Sequence, residues 1–416
     1  MGIRGYITSR EGIDGKFKDD PKDFYVEEIT DLKLGNGEWI VIRVKKVNWD
    51  TLNFVRVLSN KLHISQKRIS YAGTKDKRSV SVQYFAIRIK NEEEIEKLRK
   101  LKIRDCEIEI IGETNRPIQL GDLKGNRFRV VVRDARKIEN LRLIESELRR
   151  KGTPNFFGLQ RFGSIRFVTH EVGRCILKRD YESAFWIYVA KPFEGESEDV
   201  REIRKILWNT RDVKFGLREL PKYLRYERNL LQKIREGKSE RDALLSLPEN
   251  LKIMFIHAYQ SYVFNNVLSD RISEFGNLKL VEKGDWVDFV NLNDHYTFRE
   301  DFVKVRDNNY KRVTFLIERG LCSLAIPLPG YETKLGDDWI SERIKLYLEM
   351  DEIDLKDFKH EFKEFSSKGS IRIADILIEH TNLRYRVDGD VTFDFYLPKG
   401  CYASVFLREF LKRPLA

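Results

Sequence analysis

The first part of the chain alternates between apolar and polar residues in a way that is typical of strands. Residues 23 to 29 and residues 38 to 44 both contain such alternation, which indicates strands with one buried face. Gly35, Asn36 and Gly37 lie between the two segments, and these residue types favour tight turns. We therefore predict that the two strands pair with each other as a hairpin.

A helix-type spacing follows the two strands. Thr51 is a suitable capping residue, and the apolar residues after it recur every three to four positions, as in an amphipathic helix; they are Leu52, Val55, Leu58 and Leu62. The chain then passes through YAGTKD (residues 71 to 76) into the alternating segment 79 to 89. We predict a helix, a connecting loop and a strand.

Asp76 is an acidic residue in a basic part of this loop, among Lys75, Lys77 and Arg78. Aspartate and glycine are common in turns, and lysines are well solvated at a surface, so an ordinary surface turn explains the segment. A loop next to a strand also holds a side chain on a rigid frame where a ligand can reach it. The local pattern leaves both interpretations open.

Residues 126 to 134 predict a further strand with two different faces. Phe128, Val130 and Val132 share one face, and Arg127, Arg129, Val131 and Arg133 share the other. Arginines on a strand are found both on solvated faces and in contact with phosphate. A helix is predicted after this strand, with Gly152 as its end.

The chain changes character at about residue 176. Long, highly charged helical segments follow, and strand-like segments appear before about residue 354. A chain of 416 residues is longer than a single core usually supports, so we expect the middle part to be a domain of its own. Alternation returns after residue 355, and residues 401 to 413 predict an amphipathic helix.

Charge and composition restrict the classes of function. The chain has 77 Lys and Arg against 66 Asp and Glu, a net charge of +11, and this excess suits nucleic acid first and an anionic membrane surface second. No segment has the apolar length of a membrane span, and the first residues lack the apolar part of a signal peptide. We expect a soluble, cytoplasmic protein.

The sequence contains no motif for a metal or a nucleotide cofactor. The four cysteines are scattered without a C-x-x-C pair, and the six histidines show no ligand spacing. Glycine-rich phosphate-binding motifs and the G-x-S-x-G motif are also missing from the sequence. The residues alone therefore indicate a protein that binds RNA or DNA, with an enzymatic activity left open.

Six segments together resemble the TruD family of pseudouridine synthases. They occur in the family's order and span nearly the whole chain; they are KDDPKDFYVEEI (18 to 29), YAGTKDKRSVSVQYFAIR (71 to 88), LGDLKGNRFRVVVRD (120 to 134), GTPNFFGLQRFG (152 to 163), AYQSYVFN (258 to 265) and LPKGCYASVFLREFL (397 to 411). The segment between the fourth and fifth motifs is longer than in bacterial members, which indicates an archaeal or eukaryote-like branch.

This resemblance implies a fold and an activity. The fold is of the α/β (α+β) class: residues 1–175 and 355–416 form a discontinuous catalytic domain with a mixed, largely antiparallel sheet, and residues 176–354 form an inserted α/β domain. The implied activity is that of a tRNA pseudouridine(13) synthase, with RNA, and tRNA in particular, as partner. No metal, organic cofactor or protein partner is implied.

The resemblance also implies roles for individual residues. Asp76 corresponds to the catalytic aspartate, and the ammonium of Lys18 would favour its charged form. Asn155 and Phe157 correspond to base-contacting residues, with Phe157 stacking on an everted uracil, and Phe24 is a further candidate for the same pocket. Arg127, Arg129 and Arg161 are candidates for RNA contacts, although Arg161 is equally suited to brace the fold.

Three chemical routes are open for Asp76. The carboxylate can attack C1′ of the ribose, attack the base, or assist removal of a proton at C2′. Two other classes of function are also open: an RNA-binding protein without catalysis, and a metal-dependent nuclease. The nuclease would need clustered carboxylates, which the sequence does not show.

Overall fold

The structure is a computed structural model that describes residues 1–163, 165–293 and 295–413. The strands are β1 (Lys16–Phe17), β2 (Phe24–Ile29), β3 (Trp39–Val47), β4 (Ile69–Tyr71), β5 (Val80–Arg88), β6 (Cys106–Thr114), β7 (Gly125–Arg133), β8 (Trp286–Asn291), β9 (Thr297–Phe298), β10 (Val303–Lys304), β11 (Cys322–Leu328), β12 (Ser370–Ile373), β13 (Arg384–Asp388) and β14 (Asp390–Pro398). The helices are α1 (Thr51–Leu62), α2 (Glu92–Arg99), α3 (Asn140–Lys151), α4 (Thr169–Leu177), α5 (Tyr181–Ala190), α6 (Glu198–Thr210), α7 (Val213–Glu219), α8 (Arg225–Arg235), α9 (Glu240–Leu245), α10 (Glu249–Phe275), α11 (Tyr310–Glu318), α12 (Trp339–Met350) and α13 (Ala403–Leu411).

The larger sheet has nine strands and combines the two ends of the chain. Its order is β13-β14-β7-β2-β5-β3-β6, with β1 beside β7 and β4 beside β5. Within the described residues β2 and β5 run parallel, and the other pairings in this sheet are antiparallel. The mixed, largely antiparallel sheet predicted from the sequence is confirmed.

The predicted hairpin between the first two strands is wrong, because β5 lies between them. Tyr25 of β2 pairs with Val80, and Trp39 of β3 pairs with Arg88 at the other end of β5. Nearly all of β5 is buried, and a strand that is covered on both faces is stabilised in the centre of a sheet. The predicted turn residues are hydrogen bonded to β6 instead, because Gly35 N donates to Glu113 O at 2.9 Å.

Helix α1 forms where the spacing predicts it, with a different cap. Asp50 is the capping residue, and its carboxylate accepts a hydrogen bond from Asn53 N at 2.8 Å. The side chain of Thr51 is buried and takes part in other hydrogen bonds. Leu52 is exposed, whereas Phe54 is buried in its place.

Helix α13 was predicted to be amphipathic, but all nine of its residues are buried. The ring of Phe406 packs against Phe395 of the sheet, with centroids 4.8 Å apart, and the N-terminal segment covers the opposite side through Ile13 N, which donates to Phe410 O. Glu409 is therefore not solvated: it accepts hydrogen bonds from Thr8 and forms an ion pair with Lys412.

The second sheet is antiparallel and has the order β10-β8-β11-β12, with β9 beside β8. Strand β12 lies beyond residue 354, the predicted end of the inserted segment, and pairs with β11 inside it. One cluster of buried apolar side chains also extends from the larger sheet through the helices to the second sheet. The domain limits predicted from the sequence stay predictions.

The longest of the described helices is α10, which carries many polar residues. In the part of the chain that the structure describes, we find no helix with both the length and the apolar character needed to cross a membrane.

Candidate active site

Asp76 lies on the loop between β4 and β5, and hydrogen bonds fix this loop to its neighbours. Lys75 N donates to Thr51 Oγ1 of α1 at 2.9 Å, and Gln83 Nε2 of β5 donates to Gly73 O at 2.5 Å. The Oγ of Ser79 donates to the carbonyl of Asp76 at 2.8 Å. A helix, a strand and a local turn therefore hold the backbone of Asp76 in place.

Lys18 forms an ion pair with the carboxylate of Asp76. Its Nζ donates to Asp76 Oδ2 at 3.0 Å and lies 4.3 Å from the centroid of the Phe24 ring. The lysine side chain is 10% exposed, whereas that of Asp76 is 47% exposed. The cation is therefore held inside the protein, and the carboxylate it contacts stays open to a ligand.

This ion pair lies in a cleft of about 370 Å³. The residues that line it are Lys18, Phe24, Val26, Thr74, Lys75, Asp76, Asn126, Phe128, Gln160, Arg161, Met254, Cys401, Tyr402, Ala403 and Ser404. Among these lining residues Asp76 is the one carboxylate, accompanied by three cations and several apolar side chains. The cleft therefore combines a positive field, which suits a polyanion, with apolar surface, which suits a base.

A buried ion pair attaches the loop of Asp76 to strand β2. Lys75 Nζ lies 2.6 Å from Glu28 Oε1, and both side chains are at most 9% exposed. The second oxygen of Glu28 accepts a hydrogen bond from Tyr84 N of β5 at 3.1 Å. Because both oxygens of this buried carboxylate are satisfied, Lys75 is fixed to the sheet and acts as an anchor for the neighbouring Asp76.

Lys46 is a second buried lysine in this region. Its Nζ donates to Ser81 Oγ at 2.6 Å and to Trp49 O at 3.2 Å. Burial lowers the pKa of Lys46 to about 8, and the charge of Lys75 acts in the same direction. The sequence carried a signal for it, since Lys46 continues the inward-facing series of Ile40, Ile42 and Val44 on β3.

The structure places Asn155 and Phe157 beside the cleft, although neither lines it. Asn155 is fully buried; its Nδ2 donates to Ile373 O at 3.0 Å, and its Oδ1 accepts from Arg372 at 3.0 Å. Phe157 is 4% exposed, and the guanidinium carbon of Arg372 lies 4.0 Å from its ring centroid. Arg372 is a residue that no sequence motif had singled out.

The three candidate arginines lie in different places. Arg161 lines the cleft. Arg127 and Arg129 alternate with Phe128, which lines the cleft, so they project from the opposite face of the sheet. On that face Arg129 forms an ion pair with Asp394 at 3.1 Å. The cleft thus brings together Asp76, Lys18, Phe24 and Arg161, and leaves out Arg127 and Arg129.

Within residues 1–163, 165–293 and 295–413, no group of three or more His, Cys, Asp or Glu side chains has an arrangement that could hold a metal ion.

Comparison with known proteins shows similarity over the full length of the chain. The family described as tRNA pseudouridine synthase D (TruD) matches residues 1–410. A relative from Archaeoglobus fulgidus, named "Probable tRNA pseudouridine synthase D", is 60% identical over 100% of this chain and 99% of its own. One with the same name from Methanosarcina acetivorans is 37% identical over 99% of this chain and 96% of its own.

A solved structure has the same fold. The crystal structure of a TruD protein from Methanosarcina mazei superposes with a TM-score of 0.79 at 35% identity, and the match covers 99% of this chain and 97% of that one. These relatives are archaeal, in agreement with the branch that the long insertion indicated. The chain therefore belongs to the TruD family of pseudouridine synthases.

Proposed function

We propose that this protein converts a uridine of tRNA, the one at position 13, into pseudouridine, and that Asp76 carries out the reaction without a cofactor. One observation carries the proposal: a carboxylate that is half exposed in a cleft and hydrogen bonded to a buried lysine. Membership of the TruD family and the names of the relatives support the choice of tRNA as substrate.

The reaction moves the bond between base and sugar. The N1–C1′ bond breaks, the uracil rotates within the site, and a C5–C1′ bond forms. C5 loses its proton and N1 gains one, so that the product is an isomer of the substrate. Asp76 is the group that acts on the nucleoside, by one of three routes: attack on C1′, attack on the base, or assistance in proton removal at C2′. Lys18 fixes one oxygen of the Asp76 carboxylate by a charge-assisted hydrogen bond.

The target nucleotide has to leave the RNA stack to reach Asp76, because its glycosidic bond is otherwise enclosed. A cleft of about 370 Å³ is in the size range of small-ligand pockets, about 300 to 1,000 Å³. Stacking of a base on an aromatic ring contributes about 1 to 3 kcal/mol, which offsets the few kcal/mol that eversion costs. Phe24 and Phe128 offer aromatic surface in the cleft itself.

The stacking role predicted for Phe157 requires a rearrangement of a neighbouring side chain. Its ring is covered by Arg372 and makes edge contacts with Phe264 and Tyr402, at centroid distances of 5.2 and 6.5 Å. Uracil stacking on Phe157 therefore requires Arg372 to move away from the ring.

The test is Asp76→Asn, which keeps the size of the side chain and removes its charge. We expect this variant to bind tRNA with nearly unchanged affinity and to form no pseudouridine in a chelator-treated reaction, where modified sites are mapped by carbodiimide labelling and primer extension. The matched control is Asp307→Asn. Asp307 is also paired with a lysine, Lys283, but it lies at an exposed position between β10 and α11.

Two further results separate the parts of this proposal. Undiminished product from Asp76→Asn would reject the role of that residue. A transcript with cytidine at position 13 should yield no pseudouridine, and product from it would show that another uridine is the target. A wild-type protein that binds tRNA and never forms pseudouridine would favour RNA binding without catalysis.

A further inference from the structure

Two guanidinium groups lie against one aromatic ring at the edge of the cleft. The guanidinium carbon of Arg372 is 4.0 Å from the centroid of Phe157, and that of Arg161 is 5.3 Å from the same centroid. Arg161 lines the cleft directly. Arg372 approaches from β12 and also lies 5.9 Å from the ring of Tyr402, which is part of the cleft wall.

Neither guanidinium is neutralised by the protein. In the part of the chain that the structure describes, no carboxylate forms an ion pair with Arg161 or Arg372, and the Nε atom of each is buried without a hydrogen-bond partner. The Nη2 of Arg372 donates to Asn155 O and Oδ1 at 3.3 and 3.0 Å. Its Nη1 and Nε have no hydrogen-bond partner among the described residues.

This arrangement is unfavourable for the unliganded protein. Burial lowers the pKa of Arg372, and the nearby charge of Arg161 acts in the same direction. Two like charges that are close together and partly desolvated raise the free energy of the folded state unless an anion lies between or beside them. An unsatisfied pair of arginines at the edge of a cleft is therefore a sign of an anionic ligand.

The geometry also leaves room for the ligand to approach. A side chain at Gly400 would begin 3.4 Å from Arg372 Nη1, and Gly400 has a φ of +83°, a conformation that disfavours other residues. With glycine at this position the Nη1 group stays uncovered on that side. The Nη1 group carries two N–H donors, so it can donate a charge-assisted hydrogen bond to a phosphate oxygen from that side.

We propose that Arg161 and Arg372 form a binding site for one phosphodiester group of the RNA strand, next to the nucleotide that Asp76 modifies. This inference rests on the proposed function and deepens it. The Arg372 guanidinium then stays on the ring of Phe157. In this bound state the everted uracil stacks on Phe24 or Phe128, which line the cleft, and not on Phe157. A phosphate held here fixes the register of the strand in the cleft, while the base contacts specify the nucleotide.

The first test is the salt dependence of RNA binding by the full-length protein, measured in the Asp76→Asn background so that no turnover occurs. Loss of one contact to a single-stranded phosphate lowers the slope of log K against log salt by about 0.7. We expect this change, with binding about tenfold weaker, for Arg372→Gln. Because both arginines are assigned to the same phosphate, Arg161→Gln and the double variant should each lower the slope by the same amount as Arg372→Gln.

The second test identifies the ligand as a phosphate. Transcripts carrying one uncharged methylphosphonate linkage, moved stepwise around the target nucleotide, are bound by the variants and by the parent. One linkage should weaken binding by the parent and leave binding by Arg372→Gln unchanged. Weakening of both proteins by every linkage to the same extent would assign the two arginines to the base or to the fold, and would overturn the proposal.

Controls separate charge from structure. Arg372→Lys keeps the charge and should keep the salt slope, whereas Arg88→Gln, which breaks an exposed pair with Glu38 far along β5, should change nothing. A lower melting temperature for both Arg372 variants with an unchanged slope would mean a structural role only, and the proposal would fail. If Arg372→Gln does not fold, Arg161→Gln and the methylphosphonate series on the parent protein decide the question.

The results distinguish this inference from the proposed function. Pseudouridine formation by the wild type together with an unchanged slope in the variants would overturn the phosphate site alone. No pseudouridine from the wild type together with a reduced slope would overturn the isomerase function and leave the anion site standing.

Discussion

Lys18 occupies a position that few lysines tolerate. Its side chain is 10% exposed and its backbone has a φ of +55°, a left-handed conformation that is uncommon outside glycine. Asp76 and the face of Phe24 are the groups that its ammonium contacts. Backbone strain of this kind is often found at functional sites, and here it directs the ammonium towards one oxygen of the carboxylate, so that the other oxygen is available for chemistry.

Replacing Lys18 by methionine should therefore affect the reaction more than RNA binding. Methionine keeps most of the apolar stem and removes the hydrogen bond that orients Asp76, an interaction of about 1.5 to 3 kcal/mol when a charge is involved. We expect kcat to fall by roughly ten- to a hundredfold with little change in the dissociation constant for tRNA, measured by single-turnover kinetics and filter binding.

The control for this variant is Lys22→Met, since Lys22 is an exposed lysine only four residues away. It should leave both constants unchanged. An unchanged kcat for Lys18→Met with weaker tRNA binding would instead place Lys18 among the residues that hold the RNA.

Single residues of the site were predictable to different degrees. Asp76 and Lys18 belong to short segments that resemble a family, so both could be named from the sequence, and the structure brings them within 3.0 Å. Their roles stay predictions. Arg372 lies in a segment without a motif and reaches Phe157 because the end of β12 is hydrogen bonded to the segment around Asn155. Such a contact depends on long-range topology, which local patterns do not contain.

At the scale of elements, the segment from Gly152 to Phe157 is attached to the end of β12. Asn155 N donates to Ala374 O at 2.9 Å, and Thr153 N donates to Asp375 Oδ1 at 2.6 Å. The carboxyl group of Asp375 is fully buried, and its Oδ2 has no hydrogen-bond partner among the described residues. Burial raises the pKa of Asp375 to about 7.

This raised pKa predicts a pH-dependent stability. The folded protein keeps the Asp375 proton up to about pH 7, whereas the unfolded chain releases it near the ordinary value of 3.8. The folded state thus binds more protons between these values, so this contribution is fully present below pH 3.8 and is lost as the pH rises to about 7. In Asp375→Asn the loss is absent, because the amide does not titrate.

We therefore expect the free energy of unfolding of Asp375→Asn, relative to the wild type, to increase between pH 4 and pH 8 by as much as about 4 kcal/mol. Urea unfolding followed by circular dichroism at a series of pH values measures it. Asp307→Asn, at an exposed position, should follow the wild-type profile. Parallel profiles for the wild type and Asp375→Asn would show that the buried carboxyl is ionised throughout this range.

Elements themselves were predicted well where their pattern is local. The spacing of apolar residues predicted α1 and the alternation predicted β7, because a helix or strand with one buried face records that face in its own residues. The predicted pairing of β2 with β3 is wrong, because β5, which is buried on both faces, lies between them. The burial of α13 depends on the N-terminal segment that covers it.

At the scale of the whole molecule, the predicted inserted segment is closely connected to the rest. Phe157 N donates to Asn265 Oδ1 of α10 at 2.8 Å, and Asn265 Nδ2 donates back to Phe157 O at 3.1 Å. Arg4 forms an ion pair with Asp270 of the same helix at 2.6 Å. The length of the chain predicted more than one domain, but hydrogen bonds and a shared core of this kind couple the parts energetically.

Removing residues 176 to 354 and joining the ends with a short Gly/Ser linker should therefore prevent cooperative folding. The excision exposes the apolar faces of α4 and Phe157 and leaves β12 without its partner β11, and the lost burial exceeds the few kcal/mol of net stability that a domain has. In calorimetry we expect a single transition for the full-length protein and none for the excised chain.

The control is insertion of the same linker at Gly237. This residue lies in an exposed turn where an added Cβ would meet no heavy atom within 4 Å, so the insertion should preserve the single transition. An excised chain that still unfolds cooperatively and retains a heat capacity change in proportion to its length would show that the catalytic part is an independent domain, and that the contacts of α10 and β12 with it contribute little to its stability.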